Sequence, residues 1–317
     1  MIWFYILILI LSCFLLIKSG TWLVKSLTKI ARTLRWGEFL VSFCLLAITS
    51  SLPELFIGLS SAFHKLPQLS FGNIIGANII NLTLGIGIAA LLLKGLKIES
   101  KAAKSSLFYA TFFVSLPLLL ILDGTLSRFD GIVLLLALGF YFRQIISKKE
   151  RFSKTFLKNS PERVGELKFL LKDLGTFFAS LALLLLSAET VVRTINFLAV
   201  KINLPLVTAG IFFLAIGTTL PELTFGIRAA KMKHKEMVLG NFIGTIIINS
   251  TLILGIVALI SPLKIINFSP YIVGILFTFI VAVAFSFFAR THNEINKREA
   301  YILISIYFIF ALIQILI

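Results

Sequence analysis

The sequence predicts an all-α integral membrane protein: ten transmembrane helices, arranged as two inverted five-helix repeats. Three observations predict it: an apolar composition, ten apolar runs of spanning length, and self-similarity at one fixed offset. Of 317 residues, 58% are hydrophobic and 14% charged, with mean hydropathy +1.02. A soluble domain is about 45–50% apolar and about 25% charged. A crossing helix takes roughly 20 mainly apolar residues. Such runs fall near 2–29, 38–63, 69–93, 105–122, 129–146, 168–200, 205–230, 236–260, 270–289 and 299–317. Short loops join them, leaving no room for a separate soluble domain.

Adding 168 to positions in the first half finds their counterparts in the second. Ala47-Ile48 becomes Ala215-Ile216, and Leu52-Pro53-Glu54-Leu55 becomes Leu220-Pro221-Glu222-Leu223. Gly72-Asn73, Gly76 and Ile79-Ile80-Asn81 become Gly240-Asn241, Gly244 and Ile247-Ile248-Asn249. Apolar composition alone does not put Pro, Glu, Gly and Asn in register, so this is a true internal repeat. Each half holds five runs, and an odd number makes the second half enter from the opposite side. The organisation expected is a first repeat over 1–146, a basic cytoplasmic linker over 147–167 and a second, inverted repeat over 168–317.

The net charge of +16 does not point to nucleic acid, because basic loops orient membrane proteins. With the N-terminus outside, Lys65, Arg128, Arg193, Lys201 and Lys264 fall on the outer side, and Lys18 lies within the first run. All remaining Lys and Arg fall in or beside the loops after runs 1, 3, 5, 7 and 9. Both termini are therefore expected outside, in a multi-pass protein of a plasma (inner) membrane. The linker, with Lys149, Arg151, Lys154, Lys158, Arg163 and Lys168, sets orientation or contacts lipid. No basic stretch precedes the first run, so it is expected to be a retained helix and not a signal peptide. Cys13 and Cys44 lie inside apolar runs without metal-like spacing, which suits buried, inert thiols.

Most of the 14 acidic residues lie in loops or at helix ends. Glu54 and Glu222 fall near the middle of their runs, where a charge costs at least about 2.5–3.5 kcal/mol. No Lys or Arg lies at comparable depth to neutralise them. Proline has no N–H, so Pro53 and Pro221 are expected to kink or break the helix just before each Glu. Freed carbonyls, the carboxylates and the hydroxyls of Ser50, Ser51, Thr218 and Thr219 then offer hard oxygen ligands at mid-membrane. That donor set suits calcium or sodium and not a soft metal. In the third and eighth runs, Asn73, Ala77 and Asn81 share a helix face, as do Asn241, Thr245 and Asn249. Asn81 and Asn249 can give a carbonyl oxygen to an ion or hydrogen-bond between helices, and Asn73 and Asn241 lie nearer the helix starts. Glu189 breaks the repeat, since Thr21 is its counterpart. It suits an access path or a helix end at the outer interface. His64, His234 and His292 fall in loops.

The motifs Ser-Ser-Leu-Pro-Glu with Gly-Asn-Ile-Ile-Gly, and Gly-Thr-Thr-Leu-Pro-Glu with Gly-Asn-Phe-Ile-Gly, resemble the two α-repeats of the cation/calcium antiporter superfamily. The nearest likeness is to the sodium/calcium exchanger family in its compact prokaryotic form, over nearly the full chain. The resemblance implies calcium–sodium antiport, with Glu54 and Glu222 as the central calcium ligands. It also implies roles for Ser50, Ser51, Thr218 and Thr219, and for Ala47 and Ala215 through their carbonyls. The chain departs from the family pattern at Asn249, where Asp is frequent, and at Ala77, where a small hydroxyl is frequent. Two glutamates balance one calcium ion, while three sodium ions would leave the site near +1. Calcium–proton exchange therefore stands as the alternative, and a passive cation channel as a further one. No His-Glu-x-x-His or Gly-x-Ser-x-Gly motif points to an enzyme. No cofactor, nucleic acid or partner protein is expected beyond the transported ions and membrane lipid.

Overall fold

A computed structural model describes residues 2–33, 51–98, 101–147, 167–291 and 293–316. Within them the chain forms helices α1 (Ile2–Thr33), α2 (Leu52–Phe63), α3 (Pro67–Leu92) and α4 (Lys101–Leu120). They continue with α5 (Arg128–Ser147), α6 (Leu167–Lys201), α7 (Leu206–Lys231), α8 (Lys235–Ile260), α9 (Ser269–Thr291) and α10 (Lys297–Leu316). Seven of these, namely α1, α3 and α6 to α10, carry a stretch long and apolar enough to cross a membrane. Leu52–Phe63 and Leu107–Asp123 are shorter apolar helical stretches. Ala47, Ser50, Cys44, His292 and the linker positions 148–166 lie outside the described residues.

Burial sorts the helices into a centre and a rim. The apolar window of α3 is 83% buried and that of α8 is 72%, against 33% for both α1 and α6. On α1, Trp3, Phe4, Leu7, Ile10, Leu11 and Phe14 face outward with helical spacing, the pattern of a lipid-facing stripe. The other face of α1 packs along α6, with Leu9, Leu16 and Leu23 against Leu184, Ala188, Val191 and Ile195. Tyr5 stacks on Phe197 with ring centroids 4.0 Å apart. The same cluster reaches Ile57 of α2, Leu69 of α3 and Leu214 of α7. Helix α1 also runs across both Pro–Glu segments: Gly20 lies against Pro53, and Cys13 against Gly217.

At the centre α3 crosses α7 almost backbone on backbone. A Cβ at Gly72 would strike the Val207 carbonyl, and one at Gly76 would lie 2.5 Å from both the Ala215 Cβ and the Ile211 carbonyl oxygen. Only glycine permits that approach. Other pairings come in matched sets: α2 on α3 and α7 on α8, α3 on α10 and α8 on α5, α4 on α8 and α9 on α3.

Two short antiparallel strand pairs tie the loops together. β1 (Leu96–Lys97) after α3 pairs with β4 (Glu294–Ile295) after α9. β2 (Thr125–Leu126) after α4 pairs with β3 (Leu263–Lys264) after α8. Both pairs join the first half of the chain to the second.

Among the described residues, three helices contain a π-helical turn: Asn81–Gly85 in α3, Gly210–Leu214 in α7 and Asn249–Ile253 in α8. Pro53 stands in the first turn of α2, two residues after the N-cap Ser51. Of the kink or break expected at Pro221, the break does not occur, because α7 continues through it to Lys231. One absent N–H frees one carbonyl but does not end a helix packed on several neighbours.

Candidate cation site

Glu54 comes from the first turn of α2, and Glu222 lies one residue past Pro221 in α7. On the stretch of α7 around Pro221, Ala215, Thr218, Thr219, Glu222 and Gly226 are buried, while Phe213, Ile216 and Leu220 are exposed. The helical period thus turns the polar face inward. Both glutamates are 0% exposed. None of their four carboxylate oxygens has a hydrogen-bond partner among the described residues. The two carboxylates lie close enough to repel each other. No Lys, Arg or His is buried among the described residues. Lys18, the cation within the α1 span, sits on the exposed face with its Nζ 5.5 Å from the Phe14 ring. Leaving two buried carboxylates charged without a counter-charge is strongly unfavourable, so the pair must either take up protons or meet a cation.

Further buried oxygens lie at the N-cap of α2 and on the turns of α3 and α8 that touch α7 and α2. Ser51 Oγ, Asn81 Oδ1 and Asn249 Oδ1 are buried and without partners among the described residues. Asn81 and Asn249 each open a π-helical turn. Such turns widen the backbone and concentrate at functional sites. Thr218 stands beside the Glu54 carboxylate and donates its hydroxyl proton to Asn73 Oδ1 at 3.1 Å, which links α7 to α3. The Asn73 oxygen is therefore engaged, and its amide nitrogen is the unpartnered atom. The Asn241 amide donates to the backbone carbonyl of Glu222 at 3.3 Å and braces α8 on α7. The Ala215 carbonyl accepts the Thr219 hydroxyl, and Ala215 packs with Ala77 and Ile80. Thr245 is fully buried on α8. Asn73, Asn241 and Ala215 thus act as braces between elements, whereas Ser51, Asn81 and Asn249 present open oxygens.

Sequence reasoning missed two residues here. Asn78 accepts the Asn249 amide at 3.5 Å and donates its own amide to Ser250 Oγ at 2.8 Å. Their counterparts at the repeat offset are Ile246 and Leu82, so self-similarity does not reveal them. The signal available was Asn78 itself, a polar residue one position after the shared Gly-x motif. Glu189 proves to be a junction away from the pair. Its carboxylate accepts from Ser60 Oγ at 2.7 Å and pairs with His64 at 3.0 Å and with Arg193. His64 is thus engaged with α6.

The model of a family described as sodium/calcium exchanger protein matches residues 4–144 and 172–316. This chain belongs to the sodium/calcium exchanger family. It is 30% identical to Inner membrane protein YrbG of Escherichia coli, over 80% of this chain and 79% of that protein. It is 28% identical to Sodium/calcium exchanger MaX1 of Methanosarcina acetivorans, over 97% of each. Among solved structures, the sodium-calcium exchanger NCX_Mj soaked with 10 mM Na+ and zero Ca2+ matches with a TM-score of 0.65 and 25% identity. That match covers 98% of this chain and 99% of the other. The same protein soaked with 2.5 mM Na+ and 0.1 mM Ca2+ matches at 26% identity with a TM-score of 0.65. As a sodium/calcium exchanger family member the chain is a multi-pass membrane cation/calcium antiporter and not an enzyme.

Proposed function

We propose that this chain exchanges calcium for sodium by alternating access, with Glu54 and Glu222 holding the ion at mid-membrane. One observation carries the reading: two fully buried carboxylates without partners or a buried counter-charge among the described residues, with unpartnered buried oxygens at Ser51, Asn81 and Asn249 on the same or adjoining elements. Ser50 and the Ala47 carbonyl, from the segment preceding Ser51, complete the first-half ligands, and Thr218, Thr219 and Thr245 line the second half. Asn73, Asn241 and Ala215 hold the helices in register around the ion. Calcium and its counter-ions compete for the same oxygens, and that competition couples their movements.

All ten helices cross the membrane in this reading, as inverted repeats over 1–146 and 168–317 joined by a cytoplasmic linker over 147–167. The strand pairs support it. A loop after α3 meets one after α9, and a loop after α4 meets one after α8. Odd-numbered loops thus meet odd and even meet even, as they must if every helix crosses. The matched helix pairings point the same way. Loop charge then sets both termini outside, in a plasma (inner) membrane. Helices α1 and α6 pack chiefly on each other and across the Pro–Glu segments. They move as a pair over a fixed centre, uncovering the site to one side at a time.

The test is calcium-45 uptake into proteoliposomes under an outward sodium gradient, an outward proton gradient, or neither. Sodium-driven uptake supports the reading. Uptake driven only by protons would make the chain a calcium/proton exchanger at the same two glutamates. Uptake indifferent to any trans-gradient would make it a passive cation channel and refute antiport.

A further inference from the structure

We propose that Phe242 is a positioning residue that sets the width of the cation site, and with it the size of divalent cation the site prefers. This deepens the proposed function and rests on it. The two halves differ here: the motif reads Gly-Asn-Ile-Ile-Gly at 72–76 and Gly-Asn-Phe-Ile-Gly at 240–244, so Phe242 stands where the first half has Ile74. Its side chain is fully buried.

The ring is a wedge between two helices that carry site groups. A Cβ at Gly85 of α3 would lie 2.6 Å from ring Cε1 and 2.8 Å from Cζ, and one at Gly226 of α7 would lie 2.6 Å from Cε2 and strike Cζ. The two glycine backbones thus rest on opposite edges of the ring tip. Gly85 closes the π-helical turn that Asn81 opens. Gly226 lies one helical turn past Glu222, on the same face of α7. Asn241, directly before the ring, donates its amide to the Glu222 backbone carbonyl at 3.3 Å. Helix α8 therefore clamps α7 beside Glu222 with one residue and holds it off α3 with the next.

Volume is exchanged between the halves at these positions. The repeat counterpart of Gly85 is Ile253, and that of Phe242 is Ile74. Glycine facing phenylalanine in one place is answered by two isoleucines in the other, and Ile74 and Ile253 share one apolar cluster. The ring thus fills the gap that Gly85 leaves. Without the ring tip, Gly85 and Gly226 have no side chains to hold that gap open. A buried void is unfavourable, so α3 and α7 close on it and draw Asn81 towards Glu222. Calcium takes oxygen ligands at about 2.3–2.6 Å. Strontium and barium are larger and need a wider cage, so a narrower one penalises them more than calcium.

The experiment is sodium-driven calcium-45 uptake into proteoliposomes, inhibited in turn by unlabelled calcium, strontium and barium. The ratio of half-inhibiting barium to half-inhibiting calcium is read on the same protein, so loss of folded or active protein does not move it. Phe242→Leu removes Cε1, Cε2 and Cζ, the ring atoms nearest the two glycines. It should raise the barium-to-calcium ratio at least about fivefold, with strontium shifted less. Adding Gly226→Ala to Phe242→Leu returns a methyl group to the emptied place and should restore the wild-type ratio. An unchanged ratio in an active Phe242→Leu protein, or a raised ratio that Gly226→Ala leaves uncorrected, would overturn the inference and leave the proposed function standing. If Phe242→Leu is inactive, Phe242→Met, a narrower chain of similar reach, decides: a smaller rise of the same sign supports the spacer, and a wild-type ratio overturns it. Absence of sodium-driven uptake in the wild-type protein would overturn the proposed function and this inference together.

Discussion

Gly76→Ala is the sharpest probe of the crossing that holds the site. The added methyl would lie 2.5 Å from the Ala215 Cβ and 2.5 Å from the Ile211 carbonyl oxygen. Carbon atoms prefer about 3.5–4.0 Å, so α3 and α7 must part by about 1 Å. Neither obstacle can rotate away, because one is backbone and the other a Cβ. Overpacking of this kind costs about 1–3 kcal/mol. The same movement stretches the Thr218–Asn73 hydrogen bond from 3.1 Å to about 4 Å, beyond hydrogen-bonding range, for a further loss of about 1 kcal/mol. Alanine recovers about 1 kcal/mol of helix propensity, leaving a net loss of about 1–3 kcal/mol. Gly139, on α5, is the control, since a Cβ there meets nothing within 4 Å. Gly139→Ala should be neutral or stabilising. The assay pairs thermal unfolding of the purified protein with calcium-45 uptake. Gly76→Ala should melt a few degrees lower and lose at least about tenfold in uptake, while Gly139→Ala matches wild type. Wild-type melting and uptake in Gly76→Ala would refute the claim that this backbone contact positions the site.

Glu54→Gln and Glu222→Gln should each reduce calcium uptake by more than about 100-fold, the ~3 kcal/mol scale of losing a buried charged partner. Without calcium, each should melt no lower than wild type, because an uncompensated buried charge has been removed. Retained uptake, or collapse of the fold, would count against the assignment. Thr218→Val keeps the shape but leaves Asn73 Oδ1 unsatisfied, at about 1–3 kcal/mol. Calcium half-saturation, read from initial uptake rates, should rise about five-fold or more. Glu189→Gln loosens a partly exposed junction with His64 and Arg193. It should cost at most about 1 kcal/mol, less at high salt, and a larger drop on chemical denaturation would show that this junction is structural.

The helices were legible because each is an apolar run bounded by charged loops. Nine of the ten runs foreseen coincide with a helix among the described residues, with small shifts such as α1 extending to Thr33, and of the second run only Leu52–Phe63 lies within them. The polar candidates were legible because the repeat singled out Glu, Asn and Thr from an apolar background. What escaped the sequence depends on tertiary contact. The π-helical turns at Asn81 and Asn249 widen backbones whose composition reads as ordinary helix. Continuation of α7 through Pro221 is decided by its packing and not by the proline alone. The Asn78–Ser250 bond joins positions 172 residues apart and violates the symmetry that guided the search. His64 reads as a loop residue until α6 brings Glu189 beside it. The strands are two residues long, too short for any alternation to show.

The crossed strand pairs also bear on how the protein is made. Leu96–Lys97 must wait for Glu294–Ile295, made roughly 200 residues later, a sequence separation that slows closure. The first half of the chain therefore leaves the ribosome with neither of its strand partners, and its loops stay unclasped until α8 and α9 arrive. Neither half can close its strand pairs by itself. Cut within the linker and produced as two polypeptides, the halves should find each other and restore uptake, whereas each made alone should be degraded.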